Sequence, residues 1–167
     1  MASSLSTTTR IGIIGSGGIA KAHARAYKET EGVEVVAVSD VVEGKAGAFI
    51  DELELRGATA FTDHLQALSE SRLDGVSVCT PNIAHHRVSV DSLNAGVHVL
   101  TEKPMAVTLD QAVEMEQTAR RTGKILTIGF QPRYDPNMVM LKDLIQSGVL
   151  GRIYYVETGG GRRRGMP

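Results

Sequence analysis

Residues 10–40 read RIGIIGSGGIAKAHARAYKETEGVEVVAVSD, and their punctuation decides the fold. Arg10–Gly15 is a short apolar run rich in isoleucine, and Val33–Ser39 is a second, β-branched run. Between them lie a glycine turn and Ile19–Thr30, a stretch of helical composition. This order predicts strand, turn, helix, strand: a βαβ unit whose strands are parallel. Inside the turn, Gly15, Gly17 and Ala20 have the spacing GxGxxA. Gly15 allows the tight turn, Gly17 lets the backbone approach a pyrophosphate, and Ala20 is small enough for the helix to pack on the strand. Gly18 and Ile19 open the helix, so their unpaired N–H groups and the positive dipole end would face the anion.

Asp40 ends the second apolar run, 23 positions after Gly17. A carboxylate there can accept from both ribose hydroxyls of an adenosine, and it repels a 2′-phosphate. The next residues, Val41 and Val42, supply no cation for such a phosphate. Alone, the glycine loop is a common βα turn and Asp40 a common solvated turn residue. In register they predict dinucleotide binding, with NAD ahead of NADP.

The alternation continues. A helix is expected over Glu43–Arg56, a short one over Asp63–Glu70, a strand at Gly75–Cys79, a helix over Ile83–Ala95 and a strand at Val97–Leu100. Thr108-Leu109-Asp110-Gln111 has the form of a capping box, opening a helix to Thr122 that Gly123 ends. Lys124–Phe130 reads as a strand, Asp135-Pro136 as the start of a helix to Ser147, and Ile153–Thr158 as one more strand. The fold class is α/β, a Rossmann-type doubly wound parallel sheet over residues 10–150. Residues 1–9 read as a disordered lead, and 151–167 as the first strand of a second, α+β, substrate and oligomerisation domain.

Composition sets the outer limits. The chain has 167 residues, with 18 Lys and Arg against 19 Asp and Glu, so no net positive field gathers nucleic acid or an anionic membrane. The lone Cys79 forms no internal disulfide, and no Cys/His cluster has metal-ligand spacing, which points to a reducing cytoplasm and no metal. No apolar run approaches the roughly 20 residues that span a bilayer.

In open parallel sheets ligands bind beyond the carboxyl ends of the strands, where strand order reverses. Three segments arrive there: Cys79-Thr80-Pro81-Asn82, Thr101-Glu102-Lys103-Pro104 and Gly129-Phe130-Gln131-Pro132-Arg133. In the first, Thr80 or Asn82 can donate to a nicotinamide or ribose, and Asn82 serves equally as a helix cap. In the second, an ammonium at Lys103 can hydrogen-bond a substrate hydroxyl and stabilise negative charge as its proton leaves. The plainer reading of Lys103 is a solvated lysine paired with Glu102. His85 and His86 point about 100° apart on a helix and do not grip one metal. His23 and His64 fit solvent-facing helix positions, Cys79 a small buried hydrophobe, and Arg162–Arg164 a solvated loop.

The segments GSGGIAKAH (15–23), VVAVSD (35–40), VSVCTPNIAHH (76–86), AGVHVLTEKPMAVTLDQA (95–112) and GFQPRYDP (129–136) resemble the N-terminal half of the Gfo/Idh/MocA family. That family includes glucose-fructose oxidoreductase and inositol dehydrogenase. The resemblance implies a nicotinamide-dependent oxidoreductase moving a hydride between cofactor and a hydroxyl or carbonyl carbon of a sugar, cyclitol or related glycoside. It places Lys103 beside nicotinamide and substrate as the catalytic lysine, with Glu102 in the same motif. Thr80, Pro81, Asn82 and His85 would line the cofactor edge, and Arg133 would approach the cofactor. The family's acid/base pair, an Asp and a His four residues later, lies in a second domain and has no counterpart before Pro167. The expectation is a cofactor half, homo-oligomeric when its second domain is present. The rival is a non-catalytic NAD-binding or dinucleotide-sensing module.

Overall fold

The computed structural model describes residues 8–159, in two units divided between Gly129 and Phe130. In the first, the strands are β1 (Thr9–Ile14), β2 (Val33–Ser39), β3 (Thr59–Phe61), β4 (Gly75–Val78), β5 (His98–Thr101) and β6 (Leu126–Ile128). They form one sheet in the order β3-β2-β1-β4-β5-β6, and every pair is parallel. The connections are α1 (Gly18–Glu29), α2 (Lys45–Glu52), α3 (His64–Glu70), α4 (Asn82–Asn94) and α5 (Leu109–Thr122). The chain builds outward from β1 to β3 and then returns to lay β4 on the other edge of β1. Strand order therefore reverses between β1 and β4, which is where a crevice opens in this architecture.

Ile13 and Ile14 show why the central strand reads as a continuous apolar run. Adjacent strand residues face opposite sides. Ile13 packs with Ala20, Ala24, Val38 and Phe49, while Ile14 packs with Val76, Val88, Leu93 and Val99. Each side chain so buried contributes about 1.5–3 kcal/mol, and both faces of the sheet are covered by helices. Ala20 and Ala24 are 0% exposed, so α1 lies against the sheet through methyl groups.

Several local expectations are met in detail. Asp63 accepts from the Leu65 N–H at the start of α3, and Thr108 from the Gln111 N–H at 3.3 Å at the start of α5. Gly123 ends α5 with φ 66°. The second arm of the box differs: Gln111 Oε1 accepts from the Val107 N–H, one residue beyond the cap.

Other expectations are corrected. β1 begins at Thr9, whose N–H donates to the Gly32 carbonyl at 2.8 Å. α2 is shorter than Glu43–Arg56, because Gly44 at φ 76° precedes it and Glu54 at φ 51° follows it. β3 was not anticipated; three residues give no periodicity, and they become a strand by pairing with Ala37–Ser39. In the second unit a 3-10 turn covers Gln131–Tyr134 and α6 covers Pro136–Gln146, capped by Asp135 on the Asn137 N–H. Ile153–Thr158 forms no strand, since a strand exists only through a ladder and this stretch pairs with none among the described residues. Residues 1–7 and the Arg162–Arg164 run lie outside the described residues. No helix among the described residues is long and apolar enough to cross a membrane.

Candidate functional site

Gly15 leaves β1 where that strand comes up against the end of β4, the two strands that bound the crevice. It has φ 90°, and a Cβ there would stand 2.8 Å from the carbonyl carbon and oxygen of Cys79 and from Thr80 N. The glycine is thus demanded twice, by its left-handed backbone and by the approach of the β4 end. Next to it, Ser16 turns inward: its N–H and hydroxyl both donate to Asp40 Oδ2, at 2.9 and 2.7 Å. Asp40 is only 6% exposed. Its Oδ1 accepts from the Val42 N–H at 3.1 Å, and Lys45 Nζ stands 2.9 Å from Oδ2. Burial alone would raise this carboxyl, but Lys45, Ser16 and the Val42 N–H overcome it and hold the pKa at about 2, below the ordinary 3.8.

Two expectations about Asp40 change here. A cation does reach it, from the first turn of α2 rather than from positions 41 and 42. Nor is the carboxylate open to two ribose hydroxyls. Each oxygen offers roughly two lone-pair sites; Oδ2 already receives three donors, more than its share, and Oδ1 receives one, which leaves a position on Oδ1 alone. A second hydroxyl requires Lys45 to yield.

At the N-terminus of α1, Gly17 is the cap residue, no side chain caps it, and the first turn holds no acid. A Cβ at Gly17 or Gly18 would meet nothing within 4 Å. The first N–H groups therefore point into open space beside Asp40, the arrangement that receives a phosphate anion. Ile19 is 42% exposed next to them. Across the crevice, Thr80 Oγ1 is a buried hydroxyl with no hydrogen-bond partner. An orphaned donor and an uncapped, glycine-lined helix end fit a dinucleotide.

On the other side, α4 starts with Pro81 as cap and Asn82 as first residue, with no side-chain capping bond. Asn82 is thus exposed and does not serve as the cap. His85 is 1% exposed, so its ring is enclosed beneath this strand end. Its ring nitrogens stand 2.7 Å from the Pro104 carbonyl and 3.0 Å from the Thr80 carbonyl, which ties the turn after β4 to the turn after β5. His86 diverges to Glu114 at 2.8 Å.

Glu102 is 5% exposed and faces inward. Its Oε1 stands 3.1 Å from His23 Nε2, and its Oε2 accepts from the Lys103 N–H at 3.3 Å. Lys103 is exposed, with a cis bond to Pro104, and no ion pair links its ammonium to Glu102. Sequence reasoning set His23 and His64 in solvent. Instead His23 bridges Ser77 and Glu102, and His64 Nε2 donates to Asp91 Oδ2 at 3.0 Å. Helical spacing alone cannot show partners that lie on another element. Burial, reinforced by the charge of Glu102, pushes the Cys79 thiol up to about 12, so it stays protonated.

Gly15, Gly17, Gly18, Ile19, Asp40, Thr80, Pro81, Asn82, His85, Glu102 and Lys103 all belong to the first unit, at the carboxyl ends of its strands. Arg133 belongs to the second, on the 3-10 turn, with its guanidinium 5.8 Å from the centre of the Phe130 ring.

Residues 9–130 match the family described as an oxidoreductase family with an NAD-binding Rossmann fold. D-glucoside 3-dehydrogenase of Escherichia coli K12 is 38% identical over 163 residues, covering 97% of this chain and 46% of that protein. Inositol 2-dehydrogenase of Salmonella paratyphi B is 37% identical over 147 residues, covering 87% and 44%. The crystal structure of myo-inositol dehydrogenase from Lactobacillus casei with NAD(H) and myo-inositol superposes with a TM-score of 0.80 at 30% identity, covering 86% of this chain and 43% of that one. The chain spans less than half the length of these relatives. With the strand order, the glycine loop and Asp40 all in their places, the chain belongs to the Gfo/Idh/MocA oxidoreductase family and carries its NAD-binding Rossmann domain.

Proposed function

We propose that the chain is the cofactor half of an NAD-dependent dehydrogenase acting on sugars, cyclitols or related glycosides. The observation that carries this reading is the start of α1: uncapped, without a first-turn acid, open at Gly17 and Gly18, and beside Asp40. The relatives named for glucosides and inositol support the substrate class.

The first-turn N–H groups of Gly17, Gly18 and Ile19 would hold the pyrophosphate, and Asp40 the adenosine ribose. Thr80, through its spare hydroxyl, and Asn82 would hold the other ribose and its amide. When bound, the nicotinamide supplies the hydride acceptor. Lys103 would grip the substrate oxygen and lower the cost of the charge that develops as its proton leaves. The proton acceptor would be a group outside these 167 residues, in a second domain that residues 151–167 lead into. That domain would also shape the substrate wall and join copies of the chain into a homo-oligomer working in the cytoplasm. Arg133 would approach the cofactor.

NADP is a second reading, favoured by Lys45, a cation 2.9 Å from Asp40 that could pair with a 2′-phosphate. Fluorescence titration of the chain with NADH and NADPH tests both. NADH is expected to bind more tightly, and Asp40→Ala to reverse the order. Binding of neither nucleotide would end the proposal. Binding without turnover of any sugar or polyol by the full-length protein would leave a dinucleotide-binding module.

A further inference from the structure

On the α1 face of the sheet, four side chains form a line of hydrogen bonds. Tyr27 Oη is 2.6 Å from Ser77 Oγ, Ser77 Oγ is 3.0 Å from His23 Nδ1, and His23 Nε2 is 3.1 Å from Glu102 Oε1. His23 and Tyr27 stand one turn apart on α1, Ser77 is a fully buried residue of β4, and Glu102 follows β5. One proton arrangement satisfies all of them. Tyr27 donates to Ser77, Ser77 donates to Nδ1 of His23, and Nε2–H donates to the carboxylate.

We propose that His23 is a positioning residue for Lys103. It fixes Glu102, which accepts the Lys103 N–H, and so ties the helix whose first turn faces the pyrophosphate to the turn that carries the lysine. The inference rests on the cofactor and lysine reading above. Its physical basis is rigidity at each link. α1 is one continuous helix from Gly18 to Glu29, so a load on its first turn reaches His23 without an intervening hinge. Glu102 is enclosed and does not swing into solvent, and Lys103 is the next residue. With its neighbouring carboxylate turned inward to His23, the Lys103 ammonium is left for a substrate oxygen. Coupling of this kind is reciprocal: what the cofactor does to the lysine turn, that turn does to cofactor affinity.

The test is NMR on the 15N-labelled chain with NADH as the ligand. In the unsubstituted chain the His23 ring should carry a proton on Nε2, and NADH should shift the amides of Gly17, Gly18 and Lys103. In His23→Leu the Lys103 amide should move even without NADH. Its response to NADH should vanish while Gly17 and Gly18 still respond, with NADH affinity about tenfold weaker, the scale of one hydrogen bond to a charged group. His23→Gln, whose amide can donate to Glu102, should restore the Lys103 response. If His23→Leu does not fold, Glu102→Gln asks the same question of the same amide. A Lys103 amide that keeps its position and its NADH response in these variants overturns the proposal. If NADH moves neither Gly17 nor Gly18 in the unsubstituted chain, the cofactor reading fails. The NADH-free shift of Lys103 still decides whether His23 sets the turn.

Discussion

The two sides of the crevice are built from opposite materials. The Gly15–Ile19 side, with Asp40, presents backbone N–H groups and open space around one carboxylate held by Ser16 and Lys45, and is the side proposed for the adenosine. The side proposed for the nicotinamide presents the exposed Lys103 above the enclosed His85, Glu102 and His23. The first depends on backbone shape and leaves no room for a side chain at Gly15. The second depends on side-chain contacts whose loss strands a buried donor or acceptor. Shape is written in glycine spacing, whereas the contacts join residues as far apart as His23 and Glu102, 79 positions along the chain.

The strongest way to break this contrast is Gly15→Ala. The new Cβ would meet backbone at 2.8 Å, and an L residue would be held at φ 90°. A loss of at least about 3 kcal/mol is expected from denaturant unfolding. A loss below about 1 kcal/mol would mean that the β1 and β4 ends can part cheaply.

Asp40 comes next. Its carboxyl lies at about 2 in the fold, below its ordinary 3.8, so its contribution is present above pH 3.8 and lost as pH falls toward 2. The amount is up to about 2 kcal/mol. Asp40→Asn should remove a similar amount at neutral pH and flatten the acid limb of the stability curve. Parallel acid limbs in both proteins would show that the ion pair with Lys45 adds nothing.

Gly17→Ala sharpens the contrast from the other direction. Nothing lies within 4 Å of its Cβ, so stability should change by less than about 1 kcal/mol while NADH affinity drops by at least about tenfold. Unchanged affinity would remove the pyrophosphate from this loop. Lys103→Ala should have the smallest effect on folding, within about 0.5 kcal/mol, and little effect on NADH binding. Turnover by the full-length protein should nevertheless fall by about 10² to 10⁴. Full turnover would show that another group holds the substrate oxygen.

What was legible in the sequence follows the same division. Arg10–Asp40 yields its strand, turn, helix and strand because each signal is local: apolar runs, glycine positions and a terminal acid. The bounds of β2 agree to the residue. Three-residue β3 was not legible, since it has meaning only beside β2. The Lys45 contact is not legible from the residues beside Asp40, because it forms only when the first turn of α2 folds a residue five positions on back to the carboxylate. Glu102 looked like a surface partner of Lys103 because neighbours in sequence suggest neighbours in space. At a strand end they point to opposite sides, and the acid went inward. His23 carried a faint signal: it stands three positions after Ala20, within reach of the face that packs on the sheet.

The strand order also sets a timetable for synthesis. β1 leaves the ribosome ahead of the other described strands, yet one of its edges waits for β4, whose pairing residues begin about 60 positions later at Gly75. At translation rates of about 5–20 residues per second this is a delay of roughly 3–12 s. Protease sensitivity of stalled nascent chains, released before and after Val78 emerges, measures that interval. During it, β1 is paired on one side only, which leaves an apolar edge of the nascent chain open to chaperones.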